Sequence, residues 1–250
     1  FMSQGMEIMA LKPASKTLAI DGYKVLTTGD YGHRDNNSGI NADMLDGKHL
    51  DYILDNVGKS LVEIRTTLYA DPGTYTWSPL PKTTYVVVQL WSGGGGGAAA
   101  VMPLDHLYFP VNGGNGGNSS FGSYFSAVGG RGGSGSTGGS AGYGSGGSTN
   151  ISGKPGDTAN NYRGGGGGSL FIEGYNPKGG GGGSNNSSTG RKGGGGGGSG
   201  GYAKKGFYIN SISTPVQVVV GAGGAGGVGS EGDGLAGRPG RVVISEYGIY

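Results

Sequence analysis

A chain of 250 residues that holds 63 glycines, no cysteine and a net charge of +2 excludes several classes at once. Without cysteine there are no disulfides and no thiolate metal sites. Residues 1–92 carry eight Lys/Arg against ten Asp/Glu and residues 93–250 carry ten against six, an imbalance too mild to imply nucleic acid as a partner.

The start, "FMSQGMEIMA", lacks the basic opening and long apolar run of a signal peptide and reads as an internal piece of a longer chain. No stretch reaches the roughly 18 consecutive apolar residues of a membrane-spanning helix. Up to residue 58, short strand-like pieces ("KTLAI", "YKVLTT") alternate with turn-rich sequence. "NADMLDGKHLDYILDNVG" then sets Leu45, Leu50, Ile53, Leu54 and Val57 near helical spacing, with Gly58 as a stop. This segment, 1–58, carries too few apolar residues to be stable alone, which points to self-association.

From Leu61 the pattern turns to strands: "LVEIRTTLYA", then "DPG" as a turn, "TYTWSP", and "TTYVVVQLW", which reads as a strand buried on both faces. Further strands are expected at "HLYFPV", "SSFGSYFSAV", "TPVQVVV" and "GRVVISEY". Between them, all but nine of the 63 glycines fall in residues 93–240, with unbroken runs at 93–97, 164–168, 179–183 and 193–198.

Sequence rich in Gly and Ser defaults to a flexible linker. Against that, "SLFIEGYNPK" and "YAKKGFYINSIS" hold large side chains that a disordered chain would leave wet, and strands close the region at both ends. The alternative is a sandwich of packed polyglycine II helices. Such a helix has three residues per turn and no internal hydrogen bonds, so neighbours must satisfy its backbone and close packing leaves room only for glycine. The expected fold is therefore mostly β and irregular, with strands bracketing that sandwich over 59–250, preceded by a small α+β segment.

Motifs for chemistry fail on inspection. "VVVGAGGAGG" places Gly221, Gly223 and Gly226 in a dinucleotide-binding spacing, but "GVGSEGDGLAGRPG" cannot supply the helix that must follow. His33, His49 and His106 are scattered, so neither metal nor cofactor is expected. There is no nucleophile elbow. Asp157, Glu173, Glu231 and Asp233 read as solvated carboxylates rather than a glycosidase pair, and no enzyme is expected.

"DGYKVLTTGD" with "NADMLDGKHLDYIL" resembles segments near the distal end of bacteriophage tail fibres. "GTYTWSPLPKTTYVVVQLWSGGGGG", "SSFGSYFSAVGGRGG", "TPVQVVVGAGGAGG" and "GRVVISEYG" are similar, in that order, to the glycine-rich domain that ends many such fibres. The first likeness covers about 20–55 and the second about 66–250. The resemblance implies a virion protein at the distal end of the fibre, homotrimeric and non-catalytic. Its tip would bind a host outer-membrane protein or lipopolysaccharide, with the rest of the fibre and an assembly chaperone as further partners. The competing reading is a structural or ice-binding glycine-rich protein.

If successive glycine runs are antiparallel, residues 169–178 and 202–213 share one end, and 150–163 and 184–192 share the other. The first pair gathers Phe171, Tyr175, Lys178, Tyr202, Lys204, Lys205, Phe207 and Tyr208, rings and cations suited to a saccharide or an acidic surface. These eight are the expected receptor-binding residues.

Overall fold

The computed structural model describes residues 10–12, 17–20, 23–27, 61–100, 111–161, 163–184 and 193–249. The chain divides into two compact units, Phe1–Lys59 and Ser60–Tyr250. In the first, β1 (Ala10–Lys12), β2 (Thr17–Ile20) and β3 (Tyr23–Thr27) form an antiparallel sheet in the order β1-β2-β3. The helix expected near residues 41–58 lies outside the described residues, as does "HLYFPV" apart from Val111.

The second unit is mostly β, and its only helical element among the described residues is the short 3-10 turn Ile209–Ser211. Ten strands follow in order: β4 (Leu61–Tyr69), β5 (Gly73–Trp77), β6 (Thr83–Trp91), β7 (Ser119–Phe121), β8 (Phe125–Ala127), β9 (Gly144–Ser145), β10 (Thr149–Ile151), β11 (Tyr202–Tyr208), β12 (Val216–Val220) and β13 (Arg241–Ile249). They make two antiparallel five-stranded sheets, ordered β10-β11-β6-β13-β4 and β5-β12-β7-β8-β9.

Alternation decides what each strand buries. In β6, Val86, Val88 and Leu90 are fully buried while Val87 and Gln89 are half-buried, so the strand is covered completely on one face only. The expectation of burial on both faces is corrected accordingly, because the partner sheet packs on one side alone. The core between the sheets joins these residues to Val242 and Ile244 of β13, Val216, Val218 and Val220 of β12, and Phe121 and Phe125.

A second correction concerns 202–213, expected as a reversing loop. Its first seven residues are β11, paired over their whole length with β6 from Tyr202↔Trp91 to Tyr208↔Tyr85. Pairing with β6 rather than any alternation of residue types makes it a strand, and Phe207 enters the core on the same face as Ala203.

Among the described residues one charge is fully buried. Glu246 on β13 sits at a register shift between Glu246 and Tyr247 and accepts hydrogen bonds from Arg65 Nε (2.5 Å), Trp77 Nε1 (3.2 Å), Leu80 N (2.8 Å) and Thr83 Oγ1 (2.8 Å). Arg65 also donates to Ser78 O at 2.8 Å. A buried carboxylate so fully bonded fixes how the two sheets meet.

Above the sheets the glycine-rich sequence runs as ten irregular segments: 93–100, 111–118, 128–134, 137–143, 152–158, 163–169, 177–184, 193–201, 221–229 and 232–240. Their backbone bonds go to other segments, with a period of three. From 93–100, Gly93, Gly96 and Ala99 donate to 111–118; Gly94, Gly97 and Ala100 to 232–240; Gly95 and Ala98 to 193–201, all at 2.8–2.9 Å. Its carbonyls accept from 128–134, 177–184 and 221–229, so the segment is bonded to six neighbours.

Segment 193–201 is surrounded in the same way by 93–100, 128–134, 137–143, 152–158, 163–169 and 177–184. Traced through these bonds, the segments lie in three layers: 111–118, 128–134, 137–143; then 221–229, 93–100, 193–201, 152–158; then 232–240, 177–184, 163–169.

At the inner positions glycine is required because there is no space for a side chain. A Cβ on Gly96 would stand 1.9 Å from Ala225 O, and one on Gly197 2.1 Å from Gly95 O. Ordering a glycine costs roughly 0.5–1 kcal/mol more than ordering alanine. A net backbone hydrogen bond returns about 0.5–1.5 kcal/mol, so the network offsets that cost.

At the margins side chains return every third residue. Asn112, Asn115 and Asn118 accept from Gly135 N (3.1 Å), Gly132 N (3.1 Å) and Gly129 N (2.9 Å), replacing the carbonyls of an absent neighbour. The 150–163 stretch, expected whole as a loop at the bundle end, contains the edge segment 152–158. There only Gly153 and Gly156 face inward, which leaves Lys154 and Asp157 room outside.

Candidate functional site

The segments alternate in direction, so the chain reverses at two opposite ends of the bundle. At the sheet end, Trp91 closes β6 and is paired with Tyr202 on β11 and Arg241 on β13, three cross-strand neighbours on one face. The turn at 172–175 docks onto this row, with Glu173 and Gly174 in the left-handed region (φ 48° and 72°) closing a tight reversal. Trp91 Nε1 donates to Ile172 O at 3.2 Å, Tyr175 Oη donates to Pro239 O at 2.8 Å, and the Arg241 guanidinium lies against both the Trp91 ring (5.1 Å) and the Tyr175 ring (4.8 Å).

The eight expected receptor-binding residues divide sharply. Residues 169–178 and the start of β11 do meet at one end, through a Lys204–Glu173 ion pair at 3.4 Å. Tyr202, however, is 1% exposed and packs at a tilt against Trp91 at 5.0 Å, and its hydroxyl has no hydrogen-bond partner. Phe207 is a core residue against Phe121, Tyr124 and Phe125. Tyr175 is half-buried in the clamp described above. Lys205 donates to Gly146 O at 3.2 Å and lies over the Phe207 ring. Phe171 (75% exposed), Tyr208 (66%) and Lys178 reach solvent.

Burial raises the Tyr202 hydroxyl pKa well above its usual value, and Glu173 adds to the rise. Burial also raises Tyr175, against a smaller opposing effect of Arg238 and Arg241.

At the far end the described reversals are short and polar. Ser134 and Thr137 exchange two backbone bonds of 2.9 Å around Gly135 (φ 55°). Asn160 and Arg163 exchange bonds of 3.1 and 2.9 Å, with Asn161 at φ 51°. Gly193 N donates to Asn161 O at 2.7 Å, Gly164 N to Ser184 Oγ at 3.1 Å and Ala159 N to Ser136 O at 2.7 Å, which brings the 134–137 and 160–163 turns beside Ser184 and Gly193. Gly229 N donates to Asp233 Oδ1 at 3.0 Å. Connections 101–110 and 185–192 lie outside the described residues.

Sequence reasoning missed Trp91, Arg238, Arg241 and the asparagine ladder. The last was legible as the period of three in "NGGNGGN". Among the described residues no group of His, Asp and Glu is arranged to hold a metal ion, and no helix is long and apolar enough to cross a membrane. No protein-family model matches the chain. No curated protein is significantly similar to it in sequence.

Proposed function

We propose that this chain is the tip of a bacteriophage tail fibre, which binds a receptor on the bacterial surface, an outer-membrane protein or lipopolysaccharide, without catalysis. The same proposal makes its ten glycine-rich segments polyglycine II helices, and the fibre a homotrimer through the first unit. Backbone bonds with a period of three, directed to as many as six neighbours, are what such helices need.

One observation carries the functional reading. Leu61, at the start of the second unit, pairs with Ile249 at the sheet end farthest from the bundle, whereas the described short turns lie at the opposite pole. A scaffold that carries loops away from its point of attachment suits recognition. On this reading the receptor meets the far-pole turns around Ser134–Thr137 and Asn160–Arg163. The aromatic end, favoured from sequence, instead locks bundle to sheets.

The test is binding of the fluorescently tagged chain to isogenic bacteria lacking single outer-membrane proteins or truncated in lipopolysaccharide. Loss of binding with one deletion supports the proposal. A folded protein that binds no strain overturns it.

A further inference from the structure

The layer holding 177–184 and 232–240 continues the aromatic clamp as a regular ladder. Leu235 N donates to Gly181 O at 2.8 Å and Arg238 N to Lys178 O at 2.8 Å, the same contact one three-residue step apart. At the first rung, Leu235 Cδ1 lies 3.8 Å from the position of a Cβ on Gly181. The third rung is Arg241 against the Tyr175 ring at 4.8 Å. Between them, the same register sets the exposed side chains of Arg238 and Lys178 beside each other. At about 3.1 Å per residue the rungs are roughly 9 Å apart.

Among the described residues none of Lys178, Arg238 and Arg241 joins an ion pair. Glu173 pairs with Lys204, Glu246 in the core with Arg65, Asp157 lies beside Gly166, and Asp233 accepts from Gly229 N. Arg241 is held in advance against two rings, with its Nε buried and unbonded, so little side-chain freedom is lost when a ligand meets its guanidinium. A fixed guanidinium, a second arginine and a lysine form a donor set suited to phosphate. Phe171, on the same turn as Tyr175 and 75% exposed, offers a face for a sugar ring.

We infer that this ladder binds a saccharide carrying phosphate groups, at a site separate from the far-pole turns. Arg241 and the Arg238–Lys178 pair hold phosphates one rung apart, Gly181 leaves the floor open, and Leu235 walls the end toward the far pole. The inference stands whether or not the far-pole turns bind a receptor.

Calorimetric titration of the purified chain tests it, with three probes: a phosphorylated, deacylated lipopolysaccharide core oligosaccharide, the same oligosaccharide stripped of phosphate, and inorganic phosphate. The phosphorylated probe is expected to bind best. Phosphate removal, or Lys178→Ala with Arg238→Ala, should weaken it by about tenfold or more, the loss of a charge-assisted hydrogen bond. Both side chains are exposed, so an unchanged melting temperature confirms the fold of the variant, and Arg238→Gln provides a milder second variant.

Equal affinity for the two oligosaccharides, undiminished binding by a folded double variant, inorganic phosphate binding as tightly as the oligosaccharide, or no binding would each overturn the site. An Asn160→Ala, Arg163→Ala variant should titrate like the parent, which separates this inference from the receptor reading.

Discussion

The carboxylate of Glu246 accepts a hydrogen bond from the indole of Trp77 at 3.2 Å, across the gap between the two sheets. Removing it would strand Arg65 and leave the Trp77, Thr83 and Leu80 donors without an acceptor. Glu246→Ala should cost about 3–5 kcal/mol in denaturant unfolding, the range for breaking a buried charge network. Glu246→Gln should cost less, since the amide oxygen can still accept from Trp77 or Thr83. Equal losses would mean that the charge, rather than the bonding, is what matters.

Position within the bundle decides which glycines tolerate a methyl group. Gly197→Ala places a Cβ 2.1 Å from Gly95 O, backbone that cannot move aside, and should unfold the bundle or cost several times the roughly 1–3 kcal/mol of ordinary overpacking. Gly181→Ala meets nothing nearer than 3.8 Å and should be neutral or stabilising by about 0.4–1 kcal/mol through the unfolded chain. Thermal melts of the two proteins decide the matter.

The asparagine ladder supplies a graded test. Asn115→Ala removes the acceptor of Gly132 N at an exposed edge where water can substitute, so about 0.5–1.5 kcal/mol is expected. Replacing Asn112, Asn115 and Asn118 together should accelerate amide exchange at Gly129, Gly132 and Gly135 while leaving the inner segments protected.

Alkaline pH should destabilise the second unit through its buried phenols. In the folded state Tyr202 keeps its proton above the ordinary value near 10, so above that pH the native protein binds more protons than the unfolded chain and stability falls as pH rises. Tyr202→Phe should flatten that decline. It should cost little at neutral pH, because the hydroxyl it removes has no partner.

The two ends of the bundle make opposite predictions for adsorption. Asn160→Ala with Arg163→Ala should abolish binding to bacteria, whereas Phe171→Ala with Tyr208→Ala should leave most of it. The reverse result would return the receptor site to the aromatic end.

Most strands could be read from residue type alone, since "TTYVVVQLW" and "TPVQVVV" have few alternatives to a sheet. The pairing of 169–178 with the start of β11 also followed from alternation of the runs. Which face of β11 is buried did not: Tyr202 and Phe207 look like loop aromatics until β6 and the second sheet are placed on either side. Arg241 was illegible for a similar reason, because its two rings come from β6 and a turn far away in the chain. Segment 152–158 was read as loop because an edge position needs only every third residue to be glycine.

The bond between Ser92 N and Gly201 O continues the β6–β11 ladder straight into the bundle, so strands and glycine segments share one axis. Hydrogen bonds in both lie across that axis. Tension applied between Leu61 and the far turns is therefore borne in shear by many bonds at once, instead of peeling them apart singly. The unit is built to hold under a mechanical load directed along its length.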